Sequence, residues 1–376
     1  MRAIVIGAGI MGLSAARALI QRGAEVTVLE QAASVPNEAG SSVDESRLIR
    51  YPYGAEAGYT AMVEDAFAAW DRVWQDIGRT HYTERGTLCL SFEDGDWTHR
   101  AEGLMCDRGI TYSRRTGPEL EGLYPQFDMG DIHAAFTTPT GGILEAREIV
   151  ADLARWVAKR ARIRMGAQVT DLDPGKGTVT LAGEGTLSAD SLVIACGPWA
   201  AKLLPSLAPR AIPSRQVSVW LQVPDAWRDE WARAPLLIDI APGRGFYAVP
   251  PNAQGQIKLG DHSFAMTGDP DADRAAAEAE VEAILALARQ RIRDFGSYRV
   301  TASKACFYTV APEERFVVEP LGEKAWVMAG FSGHGFKFGP LLGEAVAAAF
   351  HGAADADAIP RWAAGEAVAM PFAPGA

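Results

Sequence analysis

Cysteine is sparse in this chain of 376 residues, which has only Cys89, Cys106, Cys196 and Cys306. None stands in a CxxC or Cys/His spacing that suits zinc, so no metal centre is expected. Basic charge is also in deficit: 36 Lys and Arg face 47 Asp and Glu for a net charge of −11, with no basic stripe. That balance argues against nucleic acid or an anionic membrane as partner. No apolar run reaches the length of a membrane span, and repeats and low-complexity segments are absent. An apolar strand begins at residue 2, where a secretory signal would lie, so a cytoplasmic protein without disulfides is expected. With 48% hydrophobic residues the chain can bury one large core or two linked ones.

What is present starts with Ile4-Val5-Ile6 running into Gly7, Gly9 and Gly12 in GxGxxG spacing. A strand that turns directly into a helix needs glycine at the turn, and the helix start offers free N–H groups and a positive dipole end to a pyrophosphate. Glu30 closes a second strand, Glu25–Leu29, eighteen positions after Gly12, where an acid can accept from a ribose diol. The motif alone leaves NAD and FAD open. Near the other end, residues 330–339 read GFSGHGFKFG and precede Pro340 and the apolar run Leu341–Phe350. Such a loop lets backbone approach a flat ligand, with Lys337 and the helix dipole set to stabilise negative charge. Taken alone it is equally a glycine-rich connection to a packed helix.

Four segments, GAGIMG at 7–12, Ser46-Arg47-Leu48-Ile49-Arg50, Lys258-Leu259-Gly260-Asp261-His262, and Ala305-Cys306-Phe307-Tyr308 with GFSGHGFKF at 330–338, keep an order and spacing far more specific than any one of them. In these the chain resembles the monomeric sarcosine oxidase family of flavoenzymes, within the wider D-amino-acid-oxidase-like group, over nearly its whole length. The resemblance implies an α/β fold in which a Rossmann-like βαβ domain for FAD (1–80, 145–212 and 303–376) interleaves with an α+β, mixed-sheet substrate domain (81–144 and 213–302). It implies FAD contacts from Gly7, Gly9, Ile10, Met11, Gly12, Glu30, Gln31, Ser41, Ser46, Arg47, Val169, Gly197, Trp199, Gly333, His334, Gly335, Phe336 and Lys337. Cys306 falls on the position bonded through sulfur to the flavin 8-methyl carbon; without the family, a buried structural cysteine is the better reading. Cys89 and Cys196 are read as core.

Substrate roles come from the same resemblance. Arg47 lies beside the ring, while Arg50 and Lys337 bind the substrate carboxylate, for which a guanidinium fork and a point charge are suited. Arg47 and Arg50 can address one site if their segment is irregular or helical; the bland alternative is two solvated arginines paired to Asp44 and Glu45. Lys258, between Ile257 and Leu259, is costly to bury without a partner or a task, and the family implies contact with the reactive nitrogen through water and promotion of oxygen reduction. Strand alternation puts His262 on the Lys258 face, bordering the substrate. Tyr247 and Tyr308 frame the amine or merely pack. Asp261 is an acid where the family commonly has an aromatic, either facing a polar substrate or pointing outward. His81, His99, His133 and His351 are read as structural.

The expected elements include helices near Tyr59–Asp76, Ala146–Lys159 and Asp271–Gln290. Strands are expected at Arg162–Met165, Val217–Val223, Phe246–Val249, Arg315–Val318 and Ala325–Ala329, with short strands and turns through 81–144 and a hairpin through Gly175 and Gly185. The expected activity is oxidation of an amino acid, foremost a secondary amine (N-methyl or cyclic), by a monomer using oxygen and releasing hydrogen peroxide. An amino-acid or hydroxy-acid dehydrogenase of the same fold, and a non-enzymatic flavin-binding regulatory protein, stand as alternatives.

Overall fold

The computed structural model describes residues 1–240 and 245–375. Its first large sheet has the strand order Val317–Pro320, Ala325–Ala329, Ser191–Ile194, Arg2–Ile6, Glu25–Leu29, Arg162–Arg164. All neighbours are parallel except the first pair. Its central strands are continuously apolar because both faces are covered. Ala3, Val5, Val26 and Val28 pack toward helices, while Ile4, Ile6 and Leu29 share a second core with Val179 and Leu181 of a small antiparallel sheet. That small sheet has three strands, Val169–Asp173, Thr178–Leu181 and Gly185–Ser188, one more than the expected hairpin.

The helices Ile10–Gln21, Ala57–Ile77, Ala146–Ala158 and Gly339–Phe350 cover the first sheet. Ile10–Gln21 and Gly339–Phe350 pack backbone to backbone: a Cβ at Gly343 would come within 2.6 Å of the Ser14 carbonyl carbon. This contact sets the 330–339 loop beside the GxGxxG turn. Buried ion pairs tie the helices together, with Arg17 Nε donating to Asp76 at 2.6 Å and Glu344 accepting from Arg72 at 2.6 and 3.0 Å and from Arg17 at 3.4 Å.

The second large sheet has eight strands in the order Arg299–Val310, Ile212–Gln222, Gln256–Asp261, Phe246–Val249, Leu236–Asp239, Thr87–Ser91, Ala134–Thr138, Ser113–Arg115. Alternation sorts its residues. Ile257, Leu259, Val217, Val219, Phe246 and Ala305 enter a core under the helix Glu278–Arg289, whereas Lys258, Gln216, Ser218, Tyr247, Cys306 and Tyr308 face a cavity between the sheets.

Three expectations need correction. The helix expected from Asp271 begins at Glu278. Asp271 accepts from Trp199 Nε1 at 2.6 Å and from Lys202, and the Arg274 carbonyl accepts from the Ala305 N–H, so residues 271–277 are held out of the helix. The strand expected from Arg315 starts at Val317, because Glu313 and Glu314 occupy a turn at φ +53° and +58°. Within 81–144 there are also two helices, Trp97–Asp107 and Gly117–Leu123. The first is capped by Asp96 and the second opens on a Thr116/Glu119 capping box.

Candidate active site

One cavity of about 890 Å³ runs between the two large sheets. Of the site residues read from the sequence, all line it except Gly12. Gly12 lies one turn inside its helix, where a Cβ would sit 1.9 Å from the Gly7 carbonyl oxygen. At the nucleotide end Gly7 holds φ +103° with no room for a side chain. The Ile10–Gln21 helix starts with no acid in its first turn and no side-chain cap on Gly9. Its positive end therefore faces the cavity without an acidic side chain of its own to compensate it. Glu30 is buried, accepting from the Ala8 N–H at 2.8 Å, the Ala32 N–H at 2.9 Å and Asn37 at 3.0 Å. It braces the turn while facing the cavity beside Gln31 and Val169.

At the opposite end a half-buried acid joins two of the cations. Asp44 accepts from both Lys258 Nζ and Arg47, and Lys258 also donates to the Ser46 carbonyl at 3.3 Å. Arg47 donates further to the Ser41 carbonyl at 2.8 Å. Burial alone would raise the Asp44 carboxyl, but Lys258 and Arg47 outweigh it and hold it well below the carboxylate range. Arg47 is thus paired to Asp44 but half-buried at the cavity wall, and Glu45 accepts instead from Trp220 and Asn252. The Arg47–Ile49 segment is a strand, neither irregular nor helical; Arg50 reaches the same cavity because the chain bends just after it. Cys306 is half-buried on the same wall. Burial pushes its thiol up and Arg47 pulls it back down.

Arg50 and Lys337 meet at Tyr53. Lys337, 3% exposed, donates to the Tyr53 hydroxyl at 2.8 Å, and the Arg50 guanidinium lies 5.1 Å from the Tyr53 ring centre and 5.4 Å from that of Trp97. Among the described residues neither cation has a carboxylate within ion-pair distance. Burial and then Arg50 push the Lys337 ammonium well below the usual lysine range. His334 is 3.2 Å from the Tyr53 hydroxyl and packs against Tyr59 and Phe316; burial, Lys337 and Arg50 all lower its pKa.

His262 stands one residue past the strand that carries Lys258, with its ring open to the cavity, and its pKa is lowered by the surrounding walls and by Arg50. Asp261 lines the cavity and accepts from the Ser263 hydroxyl. Gly333 leaves space for the Tyr308 ring, which a Cβ there would approach to 2.7 Å. His81, His99, His133 and His351 lie outside the lining. Cys89 is core, whereas Cys196 lies past its strand's end and lines the cavity. The described residues contain no cluster of metal-ligating side chains, and no helix among them is long and apolar enough to cross a membrane.

A family model described as FAD-dependent oxidoreductase (DAO) matches residues 2–349. The chain belongs to this family. It is an FAD-dependent oxidoreductase related to the amino acid oxidases. It is 29% identical over 354 residues to N-methyl-L-tryptophan oxidase of Yersinia pestis (strain Pestoides F), covering 92% of this chain and 93% of that one. NikD, an amino acid oxidase essential for nikkomycin biosynthesis, shares its fold at a TM-score of 0.80 and 22% identity, over 99% of both chains. L-proline dehydrogenase from P. horikoshii does so at 0.78 and 21%, over 92% of both.

The family's cofactor fits what the cavity offers. The acid at the end of the second strand, the helix start with no acid in its own first turn and the glycine turn suit the adenosine and pyrophosphate, and the cation-rich end suits an electron-accepting ring. Sequence reasoning named Asp44 only as a partner of solvated arginines, and missed Tyr53 and Ser42, whose hydroxyl accepts from the Ile10 N–H at 3.0 Å. All three stand in loops between recognised motifs, and the one local signal was the acid three residues before Arg47.

Proposed function

We propose that the chain oxidises an amino acid, foremost a secondary amine such as an N-methyl or cyclic amino acid, and passes the electrons to oxygen to give hydrogen peroxide. The observation that carries this reading is the pair of cations, Arg50 and Lys337, converging on Tyr53 with no carboxylate among the described residues to neutralise them. A buried cation without a counter-ion is costly, and a substrate carboxylate removes that cost while fixing the Cα–N bond in one place. The same two charges disfavour protonation of the substrate amine, and oxidation needs the neutral amine. Tyr308, Tyr247 and His262 border the remaining space. The bound flavin supplies the hydride acceptor. Cys306 faces the ring end and is the proposed point of covalent attachment. A dehydrogenase using another electron acceptor is the second reading, favoured by the Asp44 carboxylate that offsets Lys258. The test is a titration of the flavin absorption with small carboxylates such as thioether or heterocyclic acids: spectral perturbation supports the clamp, and its absence removes the amino-acid assignment.

A further inference from the structure

Lys258 is the cation expected to act on oxygen, yet it is not a free charge. Its Nζ is held by Asp44 and by the Ser46 carbonyl, and it lies 5.7 Å from the centre of the Trp220 ring. Asp44 also holds Arg47, so one carboxylate serves two cations whose own strands lie in different sheets. Lys258 is 5% exposed and the Asp44 side chain 11%, so solvent screens this trio little. All three residues line the cavity. Summed, the trio carries one positive charge where the two cations alone would carry two.

We propose that Asp44 is a positioning residue that fixes Lys258 and Arg47 against each other and cancels one of their charges, thereby limiting how strongly this site attracts an anion at the flavin ring. The proposal rests on the reading that the cavity holds FAD with its ring at this end. Its consequence is a tuned oxygen response: a Lys258 freed of Asp44 presents a larger positive potential to the anion formed when oxygen takes an electron. The trio joins residues 214 positions apart in the chain, so its geometry depends on the short strand Arg47–Ile49 and the strand Gln256–Asp261 holding their relative position.

The probe is sulfite, an anion that binds oxidised flavin and bleaches its visible band, titrated into the flavin-loaded protein. One unit charge a few ångströms away, at an effective dielectric constant of about 20, changes anion affinity by about tenfold or more. Asp44→Asn should therefore tighten sulfite binding at least about tenfold, and Asp44→Glu, which keeps the charge, should stay near wild type. Lys258→Met should weaken binding by a similar factor. The double variant Asp44→Asn/Lys258→Met returns the charge count to the wild-type value, so its affinity should return too, and it supplies the reading if the single Asp44→Asn protein retains no flavin. Unchanged or weaker sulfite binding in Asp44→Asn, or a double variant that stays at the Lys258→Met level, overturns the proposal. A wild-type protein without flavin would instead overturn the cofactor placement, a separate outcome.

Discussion

The Lys337 ammonium donates to the Tyr53 hydroxyl at 2.8 Å, across 284 positions of sequence, and in doing so places a buried positive charge beside Arg50 on one wall of the cavity. Tyr53 is neutral at any ordinary pH, since burial raises its phenol far above its usual range. It orients Lys337 without neutralising it, which leaves the charge for a ligand.

Removing either cation should therefore cost carboxylate affinity. A charged hydrogen bond that loses its partner costs a few kcal/mol, so Arg50→Ala or Lys337→Ala should weaken carboxylate binding by roughly tenfold to a thousandfold, with simple amines hardly affected. Tyr53→Phe should cost less, because it leaves both charges in place. The measurement is the flavin spectral titration; equal losses for carboxylates and amines would contradict the assignment.

The depressed Lys337 ammonium fixes the sign of a pH effect. Carboxylate binding favours the protonated form, so binding takes up a proton wherever the free protein has released it. Affinity should fall as pH rises through that depressed range, below the usual lysine value. In Lys337→Met this part of the profile should be flat; an unchanged profile would assign the titration to another group, with His334 and His262 the neighbours to examine.

Covalent attachment is read directly. Wild-type flavin should stay with the acid-precipitated chain, and Cys306→Ala should release it or yield apoprotein. Flavin found wholly in the acid supernatant of wild type would leave the half-buried Cys306 thiol as an unbonded wall residue.

Lys258→Met should slow reoxidation of reduced flavin far more than anaerobic reduction by substrate, as stopped-flow traces would show. Equal slowing of the two half-reactions would make Lys258 a structural or substrate-binding residue. A wild type indifferent to oxygen would favour the dehydrogenase reading.

Stability should depend on the helix cross-link. Glu344→Ala takes the carboxylate from Arg72 and removes the 3.4 Å contact of Arg17, whose side chain is 2% exposed and which keeps Asp76. Because Arg17 keeps Asp76 and the Arg72 side chain is 26% exposed, the cost should be about 1–3 kcal/mol, that of a polar group losing one partner. Denaturant unfolding should show a shift of that order, and a change under about 1 kcal/mol would mean that Asp76 alone suffices for Arg17.

The nucleotide end was legible because its parts are local: Gly7, Gly9 and Gly12 share one turn and Glu30 ends the adjacent strand. The apolar strands were legible from continuous runs covered on both faces. The ring end was legible only as separate residues, since Asp44 meets Lys258 and Tyr53 meets Lys337 through contacts more than two hundred positions apart. Asp271–Ala277 looked helical by composition, but the Asp271 carboxylate is committed to Lys202 and Trp199. The helix at Gly117–Leu123 did carry a readable start in Thr116 and Glu119, and the turn-rich composition around it obscured that signal.

The most direct test of the central claim is an aerobic peroxide assay comparing N-methyl and cyclic amino acids with the matched amines that lack the carboxylate. The account predicts peroxide from at least one of the amino acids and little or none from its decarboxylated counterpart. Equal turnover of both members of every pair would contradict it, because the Arg50 and Lys337 charges would then have no part in selecting the substrate.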